Sequence, residues 1–441
     1  MNRKKWNNIL VLLMVAFAAW AQPKINSPYS RFGLGDLYDQ NLLAPMSLGN
    51  LSATYHDPYH VNILNPASLG FQQTTAFETG AHAKRTTLIE NDFKRPVWNG
   101  NLNYLSLAFP MFNAINDIID RRERKFFWGM NVVLLPYTYV GYDISDLAIF
   151  PPTDTLERTY TGTGGTYRLM WSNGLRYKQF SAGITTGHTF GKLSYTRNID
   201  FQESEPQSFD NNFTDEESIR NFFWRGGVMY TINLEKPGED KRSVNKTLTL
   251  GLTASSKSSM RIKAETNYLR IFTGGAGEFD TVAYQSEVRK EGTLPGEIQF
   301  GLGFMDGLKW KAGINYTLQK WSQYANGTRS ETLDDIWILA FGASYRPDIT
   351  AYEGFWPRID YRLGFQTGKD PRVFGGKQLS FWSLHGGLGF PFFSQRKISF
   401  INLGLEVGSW GDRTLLKNNY FKISAGFTLN DDEWFLKRKF N

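Results

Sequence analysis

The segment LPGEIQFGLGFMDGLKWKAGINYTLQ, residues 294–319, alternates apolar side chains with glycine, amide or charged residues. Apolar residues occupy every second position from Ile298 to Phe304 and again from Trp310 to Leu318. A period of two is typical of β-strands whose two faces meet different surroundings. Asp306-Gly307, between the two runs, is a hairpin-turn sequence. The segment therefore predicts two antiparallel strands joined by a tight turn.

The same alternation recurs from Thr74 almost to the end of the chain, for example over 358–365 and 401–407. It predicts about fourteen strands, many of them with ten or more residues, which is long enough to cross a bilayer at a tilt. A secreted β-sandwich would show the same alternation, but its strands are usually shorter. Mean hydropathy is −0.39 although aromatics reach 15%, as expected where only one face of each strand meets lipid,. We predict an all-β fold, a transmembrane antiparallel β-barrel of about 14 strands with an N-terminal plug, or hatch, in its lumen.

Connection lengths support the barrel over the sandwich. The segments 201–220 and 264–293 are predicted to be long external loops, whereas 176–179 and Asp306-Gly307 are short turns,. The acidic run 215–217 falls in the first of these loops, and we interpret it as a solvated segment.

The N-terminus has the features of a secretory signal. Arg3, Lys4 and Lys5 precede an apolar run, and Ala19-Trp20-Ala21 has the form of a cleavage site,. Removal of residues 1–21 takes away three basic and no acidic residues, so the formal net charge falls from +7 to +4. That charge argues against a nucleic-acid-binding protein. The sequence predicts export to the outer membrane of a Gram-negative bacterium, with both termini in the periplasm.

The sequence offers little for catalysis. The chain has no Cys and five His, without the spacing of a metal site, so we predict no cofactor or metal,. Ser181 and His188 are seven positions apart on one predicted strand and therefore lie on opposite faces,. We predict that the protein is not an enzyme.

The predicted organisation has four parts. Residues 1–21 form the signal peptide, 22–72 the hatch, 73–430 the barrel and 431–441 a periplasmic tail. The hatch segment is rich in Asn, Pro, Gly and aromatics, with too few periodic apolar positions for a core of its own,. It is therefore expected to pack inside the barrel.

A short motif stands directly before the first predicted strand. Asn65-Pro66-Ala67, followed by Leu69 and Phe71, resembles the motif that closes the N-terminal hatch of the FadL-like outer-membrane β-barrel family. Other stretches fall at similar places in order: Leu294 to Leu302, Trp321-Ser322, Tyr345-Arg346-Pro347 and Tyr361 to Gly364. The resemblance implies a fourteen-stranded barrel that takes up hydrophobic molecules, with Asn65, Pro66, Ala67, Leu69 and Phe71 as the gate.

A second resemblance leaves an alternative function open. The opening Pro28 to Gly35 and the end of the chain from Gly426 resemble FadL-like barrels of Bacteroidota, some of which are parts of secretion and assembly machines. The first hypothesis is passive uptake of small hydrophobic molecules, and the alternative is a structural subunit of such a complex. The expected partners are outer-membrane lipid, a hydrophobic ligand, and proteins that dock on the tail 431–441.

The polar faces of the predicted strands carry charges of both signs. We predict that they line the lumen and pair with one another and with the hatch; an open alternative is a solvated wall without specific partners. The residues are Glu297, Lys309, Lys311, Arg358, Asp360, Arg362 and Glu406.

Overall fold

The structure is a computed structural model. It describes residues 27–90, 92–121, 123–150, 154–201, 209–235, 246–272, 279–349, 351, 353–394, 397–413 and 415–434. The predicted signal peptide and residues 435–441 of the predicted tail lie outside these ranges.

Fourteen wall strands follow one another in chain order, two of which consist of two segments in line. They are β1 (Thr75–Glu90), β2 (Phe93–Pro110), β3 (Phe126–Phe150), β4 (Asp154–Tyr177), β5 (Phe180–Phe201), β6 (Phe209–Asn233), β7 (Lys246–Ser255 and Ser258–Phe272), β8 (Phe279–Leu294 and Glu297–Asp306), β9 (Trp310–Gln319), β10 (Ile336–Tyr345), β11 (Asp360–Phe374), β12 (Lys377–Ser394), β13 (Lys397–Asp412) and β14 (Leu416–Asp431). Two further strands have two residues each, Asp36–Leu37 and Ala325–Asn326.

The sheet closes on itself. Each wall strand pairs antiparallel with its neighbours in sequence, and β14 pairs with β1 from Lys417↔Ile89 to Asp431↔Thr75. Closure removes the exposed sheet edges that lipid cannot satisfy. The predicted all-β, fourteen-stranded antiparallel barrel is confirmed.

The strand alternation places apolar side chains on the outer wall. Leu302, Phe365 and Leu403 are 41%, 38% and 42% exposed, whereas Asn315 and Asn402 on neighbouring positions of the inner face are 1% exposed. A barrel that faces lipid outside and a filled lumen inside requires this arrangement.

The wall is taller on one side. β3 and β6 have 25 residues each, whereas β9 and β10 have 10 each. The predicted external loops 201–220 and 264–293 are therefore wrong in part, because much of both is strand, including Phe209–Asn233 and Phe279–Leu294. The two-residue alternation is absent there because both faces of a strand that rises above the membrane can be polar.

Short helices complete the described part of the chain. The α-helices are Leu43–Met46 and Ala114–Ile119, and the 3₁₀ helices are Pro28–Arg31, Pro66–Phe71, Trp321–Gln323 and Trp356–Arg358. Among the described helices, none combines the length and the apolar character needed to span a bilayer.

The start of the tail lies against the connection between β2 and β3. The side-chain amide of Asn113 donates to the carbonyl oxygen of Trp434 at 2.8 Å, and the rings of Trp434 and Phe109 are 6.0 Å apart. These contacts fix the end of β14 beside this connection.

Candidate functional site

The hatch, residues 27–72, shares its core with the inner face of the wall. Leu42, Leu43 and Ile63 of the hatch are at most 1% exposed and belong to one apolar cluster with Tyr104 of β2 and Met170 of β4. Burial of these side chains is the main gain for a segment with so little secondary structure.

The Asn65-Pro66-Ala67 motif forms the start of a 3₁₀ helix. The side-chain oxygen of Asn65 accepts from the backbone N–H of Ala67 at 3.1 Å, and its amide donates to the carbonyl oxygen of Ala53 at 2.6 Å. Pro66 occupies the first helical position, where its fixed φ suits the turn and no donor is lost,. Asn65 and Ala67 are fully buried, and Leu69 is 1% exposed.

Phe71 ends this helix against an aromatic and a cationic neighbour. Its ring stacks on His56 with the centroids 4.1 Å apart, and the guanidinium of Arg176 lies 4.6 Å from its centroid. All five residues predicted to form the gate therefore lie in one continuous contact between the hatch and the wall.

A straight row of glycines on the wall receives this motif. Its members are opposite one another on four adjacent strands, from β3 to β6. A Cβ added to any of these glycines would overlap hatch atoms. On the β4 glycine, for instance, it would overlap the carbonyl oxygen of Pro66. The first glycine row consists of Gly129, Gly174, Gly183 and Gly227.

A second row receives the middle of the hatch. Its glycines are opposite one another on β8 to β11. The backbone of Leu48 and Gly49 lies directly on the last two, too close for any Cβ. The second glycine row consists of Gly303, Gly313, Gly342 and Gly364.

Three aspartates anchor the hatch, and each pairs with cations of the wall. Asp57 is the most buried, and its carboxylate contacts the ammonium of Lys311 and lies 3.7 Å from the guanidinium of Arg346. Arg346 and Arg362 both bind Asp360, at 2.7 Å and 2.9 Å. The network joins the hatch to β9, β11 and the end of β10.

The other two aspartates hold the upstream part of the hatch. Asp39 lies 2.6 Å from the ammonium of Lys422 on β14. Asp36 lies 2.6 Å from the guanidinium of Arg372 on β11, which also donates to the carbonyl oxygen of Tyr29 at 2.9 Å. The hatch is thus tied to the wall at three separate points.

The electrostatics of Asp57 favour its charged form. Burial acts to raise the pKa of this carboxyl, but the Lys311 ammonium, the hydrogen bond from His60 and the Arg346 guanidinium outweigh burial and hold the pKa well below its usual range. Burial also lowers the pKa of His60, beside Asp57. The Asp57 carboxyl is therefore in its charged form beside these cations at neutral pH.

Most of the predicted lumen charges lie where the sequence placed them. Lys311, Asp360 and Arg362 belong to the Asp57 network, and Glu406 contacts Lys422. Glu297 lies 3.2 Å from the guanidinium of Arg225. Each of these five residues forms an ion pair with another wall residue or with the hatch.

Two predicted lumen charges are corrected. Lys309 lies in the turn after β8 and is exposed, because β8 ends at Asp306. Arg358 belongs to the 3₁₀ helix before β11, where its Nε donates to the carbonyl oxygen of Ala351 at 2.8 Å. Both residues lie outside the wall strands.

The acidic run 215–217 is a further correction. Glu217 is 2% exposed on β6, and its carboxylate lies 3.1 Å from the guanidinium of Arg329. Glu217 is buried because β6 is long enough for the loop after β9 to pack against it.

Sequence reasoning missed the three anchoring aspartates. Asp36, Asp39 and Asp57 are the only acidic residues between positions 22 and 72. In a segment expected to be buried, isolated carboxylates require cationic partners, and this signal was available from the sequence.

A cavity of about 340 Å³ lies between the hatch and the wall. Apolar side chains such as Phe223 and Trp321 contribute to its lining, together with eleven acidic or basic residues. These are Asp36, Asp39, Lys84, Arg168, Arg225, Glu297, Lys369, Asp370, Arg372, Glu406 and Lys422.

Solved structures share this barrel. The chain aligns with a Pseudomonas aeruginosa FadL homologue at a TM-score of 0.56 and 11% identity, over 89% of this chain and 99% of that one. It aligns with the Pseudomonas putida toluene transporter TodX at 0.55 and 13% identity, over 90% and 99%. The Ralstonia pickettii toluene transporter TbuX gives 0.51 and 13%, over 88% and 98%. At these identities the likeness shows the fold alone.

Sequence comparison identifies the family. No curated protein sequence matches the chain. A family model described as BamG matches residues 1–441, the whole length of the sequence. The chain, a fourteen-stranded barrel with a FadL-like fold, therefore belongs to the BamG family.

Proposed function

We propose that this protein is a plugged outer-membrane barrel that serves as a structural subunit of an assembly or secretion complex. The observation that carries the proposal is the anchoring of the hatch by Asp36, Asp39 and Asp57 to cations on three different wall strands, β11, β14 and β9. A segment fixed in this way acts as a seal and a scaffold.

The free-energy cost of breaking the contacts between hatch and wall argues against a hatch that opens. Withdrawal of Asp57 would leave Lys311 buried without its ion-pair partner, and breaking one buried pair typically costs about 3–5 kcal/mol,. It would also remove the hatch atoms that lie directly on both glycine rows of the wall. A passive channel has no energy source for such a change.

The cavity also suits a hydrophobic solute poorly. Binding sites for apolar molecules contain few polar groups, whereas eleven Asp, Glu, Lys or Arg residues line this cavity,. Transfer of an apolar solute through it would displace water from paired charges without replacing their hydrogen bonds. The polar lumen thus favours the structural role over uptake.

The family name supports the same role, because it hints at the barrel-assembly machinery. In this proposal the chain is exported by its signal peptide to the outer membrane of a Gram-negative bacterium of the Bacteroidota group. Both termini lie in the periplasm, and the tail from Asp431 offers a docking segment for protein partners. The proposal assigns the chain no catalytic step.

Purification in a mild detergent tests the proposal. A tagged full-length chain should be recovered with fixed stoichiometric partners, whereas an unrelated tagged barrel from the same cells should not bring them down. Depletion of the chain should lower the amounts of other outer-membrane barrels. Recovery of the chain alone, with unchanged barrel levels after depletion, would contradict the proposal.

Passive uptake of hydrophobic molecules is the second candidate. The fold it shares with two toluene transporters favours it. In that case cells depleted of the chain should take up labelled toluene more slowly, and a chain without residues 22–67 should change the rate. Equal uptake in all three strains would count against it.

A further inference from the structure

A groove of about 470 Å³ lies on the outer face of the wall, and none of its lining residues belongs to the hatch. These residues come from four strands that are adjacent around the barrel, β12, β13, β14 and β1. Val407 on β13 and Phe421 on β14 line it and are 45% and 40% exposed, on the same lipid-facing side of the wall as Leu403. The groove therefore opens toward the membrane.

The groove exists because three small polar side chains stand side by side on this face. Ser409 is opposite Asn419, and Asn419 is opposite Thr87. Larger residues flank the row, since Trp382 is opposite Ser409 and Pro96 is opposite Thr87. Within the described part of the chain, none of the three small side chains hydrogen-bonds to another residue. The row thus offers two hydroxyls and an amide to a molecule from outside the protein.

Three cations surround this row. Lys417 on β14 and Lys94 on β2 are both opposite Ile89, one row nearer the strand ends. Two strand spacings separate their backbones, which is about 10 Å. Arg85 lies four positions before Ile89, about 13 Å along β1, and its guanidinium is 5.8 Å from the ring centroid of Trp98,. Arg85, Lys94 and Lys417 are named the outer cations.

The outer cations have no acidic partner among the residues that the structure describes. No ion pair joins them to a described carboxylate, and this holds for Glu90 and Asp92, the acids nearest in sequence on β1 and β2. By contrast, Lys422 and Arg372 on the inner face each lie 2.6 Å from a carboxylate of the hatch. Cations beside a membrane attract anionic head groups. The arrangement therefore favours an anion from the membrane as the partner.

The groove lies at one boundary of the membrane. Lipid-facing apolar residues continue along β14 from Phe421 to Leu429, which is 43% exposed and opposite Phe77. Ile89 is twelve positions after Phe77, so at a strand tilt of about 40° their levels differ by about 30 Å,. The apolar band of such barrels is about 25 Å tall. The two lysines beside Ile89 thus reach the head-group layer, at the end of the barrel away from the tail.

We propose that this groove binds a phosphorylated glycolipid of the outer leaflet. Its phosphate groups contact the outer cations, which form charge-assisted hydrogen bonds to phosphate oxygens. Its sugar hydroxyls bond to Ser409, Asn419 and Thr87, and its acyl chains lie along the apolar wall below Phe421. The proposal requires an outer-membrane barrel with its tail in the periplasm and does not depend on a role in an assembly complex.

The spacing of the outer cations selects a glycolipid over a simple phospholipid. They frame an area of about 10 by 13 Å. A head group with one phosphate can contact one corner of this area, whereas a phosphorylated sugar pair can reach all three cations and the polar row at once. The affinity should therefore depend on the sugar as well as on the charge.

Native mass spectrometry of the full-length protein in maltoside micelles, titrated with diphosphoryl lipid A, tests the proposal. K94Q/K417Q should bind this lipid at least tenfold more weakly than the wild type. K178Q/K309Q is the matched control, because it removes the same charge from exposed turn residues at the opposite end of the barrel and should bind within twofold of the wild type. Heat-dependent gel mobility shows that each variant is folded. Equal loss in the two double variants would overturn the proposal.

Two further comparisons separate the groove from general attraction to charge. T87W fills the groove without changing the charge and should lower the affinity for lipid A at least fivefold. The wild type should bind phosphatidylglycerol, which has one phosphate and no sugar, at least tenfold more weakly than lipid A, and inorganic phosphate should not displace the lipid. Unchanged binding in T87W, equal affinity for the two lipids, or displacement by phosphate would each overturn the assignment.

Discussion

The carboxylate of Asp39 lies 2.6 Å from the ammonium of Lys422, joining the hatch to the last wall strand across 383 positions of sequence. Lys422 is directly opposite Lys84 in the ladder that closes the barrel. Like charges that face each other across strands are destabilising. Asp39 and Glu406 supply the negative charge that this closure needs, so the hatch contributes to the integrity of the wall itself.

Asp39→Asn should therefore weaken the closed barrel as well as the hatch. Loss of a charge-assisted hydrogen bond predicts a decrease of about 1–3 kcal/mol in the free energy of unfolding. Urea unfolding in micelles, followed by tryptophan fluorescence, measures it. Glu287→Gln is the control, since the Lys263–Glu287 pair is exposed and should contribute less than about 1 kcal/mol,. Equal midpoints for both variants would contradict the prediction.

The first glycine row predicts a strong effect of a single methyl group. In Gly174→Ala the new Cβ would overlap the Pro66 carbonyl, so the motif must move, at a cost of about 1–3 kcal/mol or more,. Hatch docking can be measured by its resistance to protease. Gly386→Ala is the matched control, because nothing lies within 4 Å of a Cβ at Gly386. A protected hatch in Gly174→Ala would contradict the assigned contact.

Docking of the hatch should weaken in mild acid through His56. Burial lowers the pKa of His56 to about 4, and the Lys311 ammonium acts in the same direction. The unfolded imidazole titrates near 6.5, so as pH falls from about 6.5 to about 4 the released hatch binds a proton that the docked hatch does not. The stabilisation is complete above about pH 6.5 and falls by roughly 3 kcal/mol at the lower end of this window.

His56→Phe tests this pH dependence, because phenylalanine keeps an aromatic ring beside Phe71 but does not titrate. The protease resistance of the hatch at pH 7 and pH 4.5 should differ less in the variant than in the wild type. Identical pH dependence in the two proteins would assign the effect to other groups.

Arg329 should hold the loop after β9 in place. Its guanidinium lies 3.1 Å from the carboxylate of Glu217 and 2.7 Å from the hydroxyl of Tyr195. Arg329→Ala would leave the buried Glu217 without its ion-pair partner, at a cost of about 3–5 kcal/mol if the loop stayed in place. The loop should instead detach, and proteolysis within 327–335 should accelerate. Lys320→Ala, in the exposed pair with Asp335, should leave cleavage unchanged.

The strands that face lipid could be predicted because the bilayer demands an apolar residue at every second position. The run from Ile298 to Phe304 has this pattern and could be recognised as a strand from the sequence alone. Above the membrane this requirement ends, so the alternation does not predict a strand over the first part of Phe209–Asn233. The alternation therefore indicates that one face of a strand meets lipid, and strands above the membrane lack it.

The anchors of the hatch could not be paired from the sequence. Asp36 and Arg372 are 336 positions apart, and no local pattern specifies which of the wall cations meets which carboxylate. The inward glycines were visible as part of the polar face, but their alignment across four strands depends on the register. Register follows from the closure of the whole sheet and becomes known only with the structure.

The two glycine rows also have a genetic consequence. At seven of these eight glycines a Cβ would come within 3.0 Å of a hatch atom, and at Gly313 it would lie 3.2 Å from the Leu51 side chain, so even alanine would force the hatch to shift. Among descendants of this gene, the wall around the hatch should therefore drift freely in its lipid-facing residues while these eight codons are held by purifying selection.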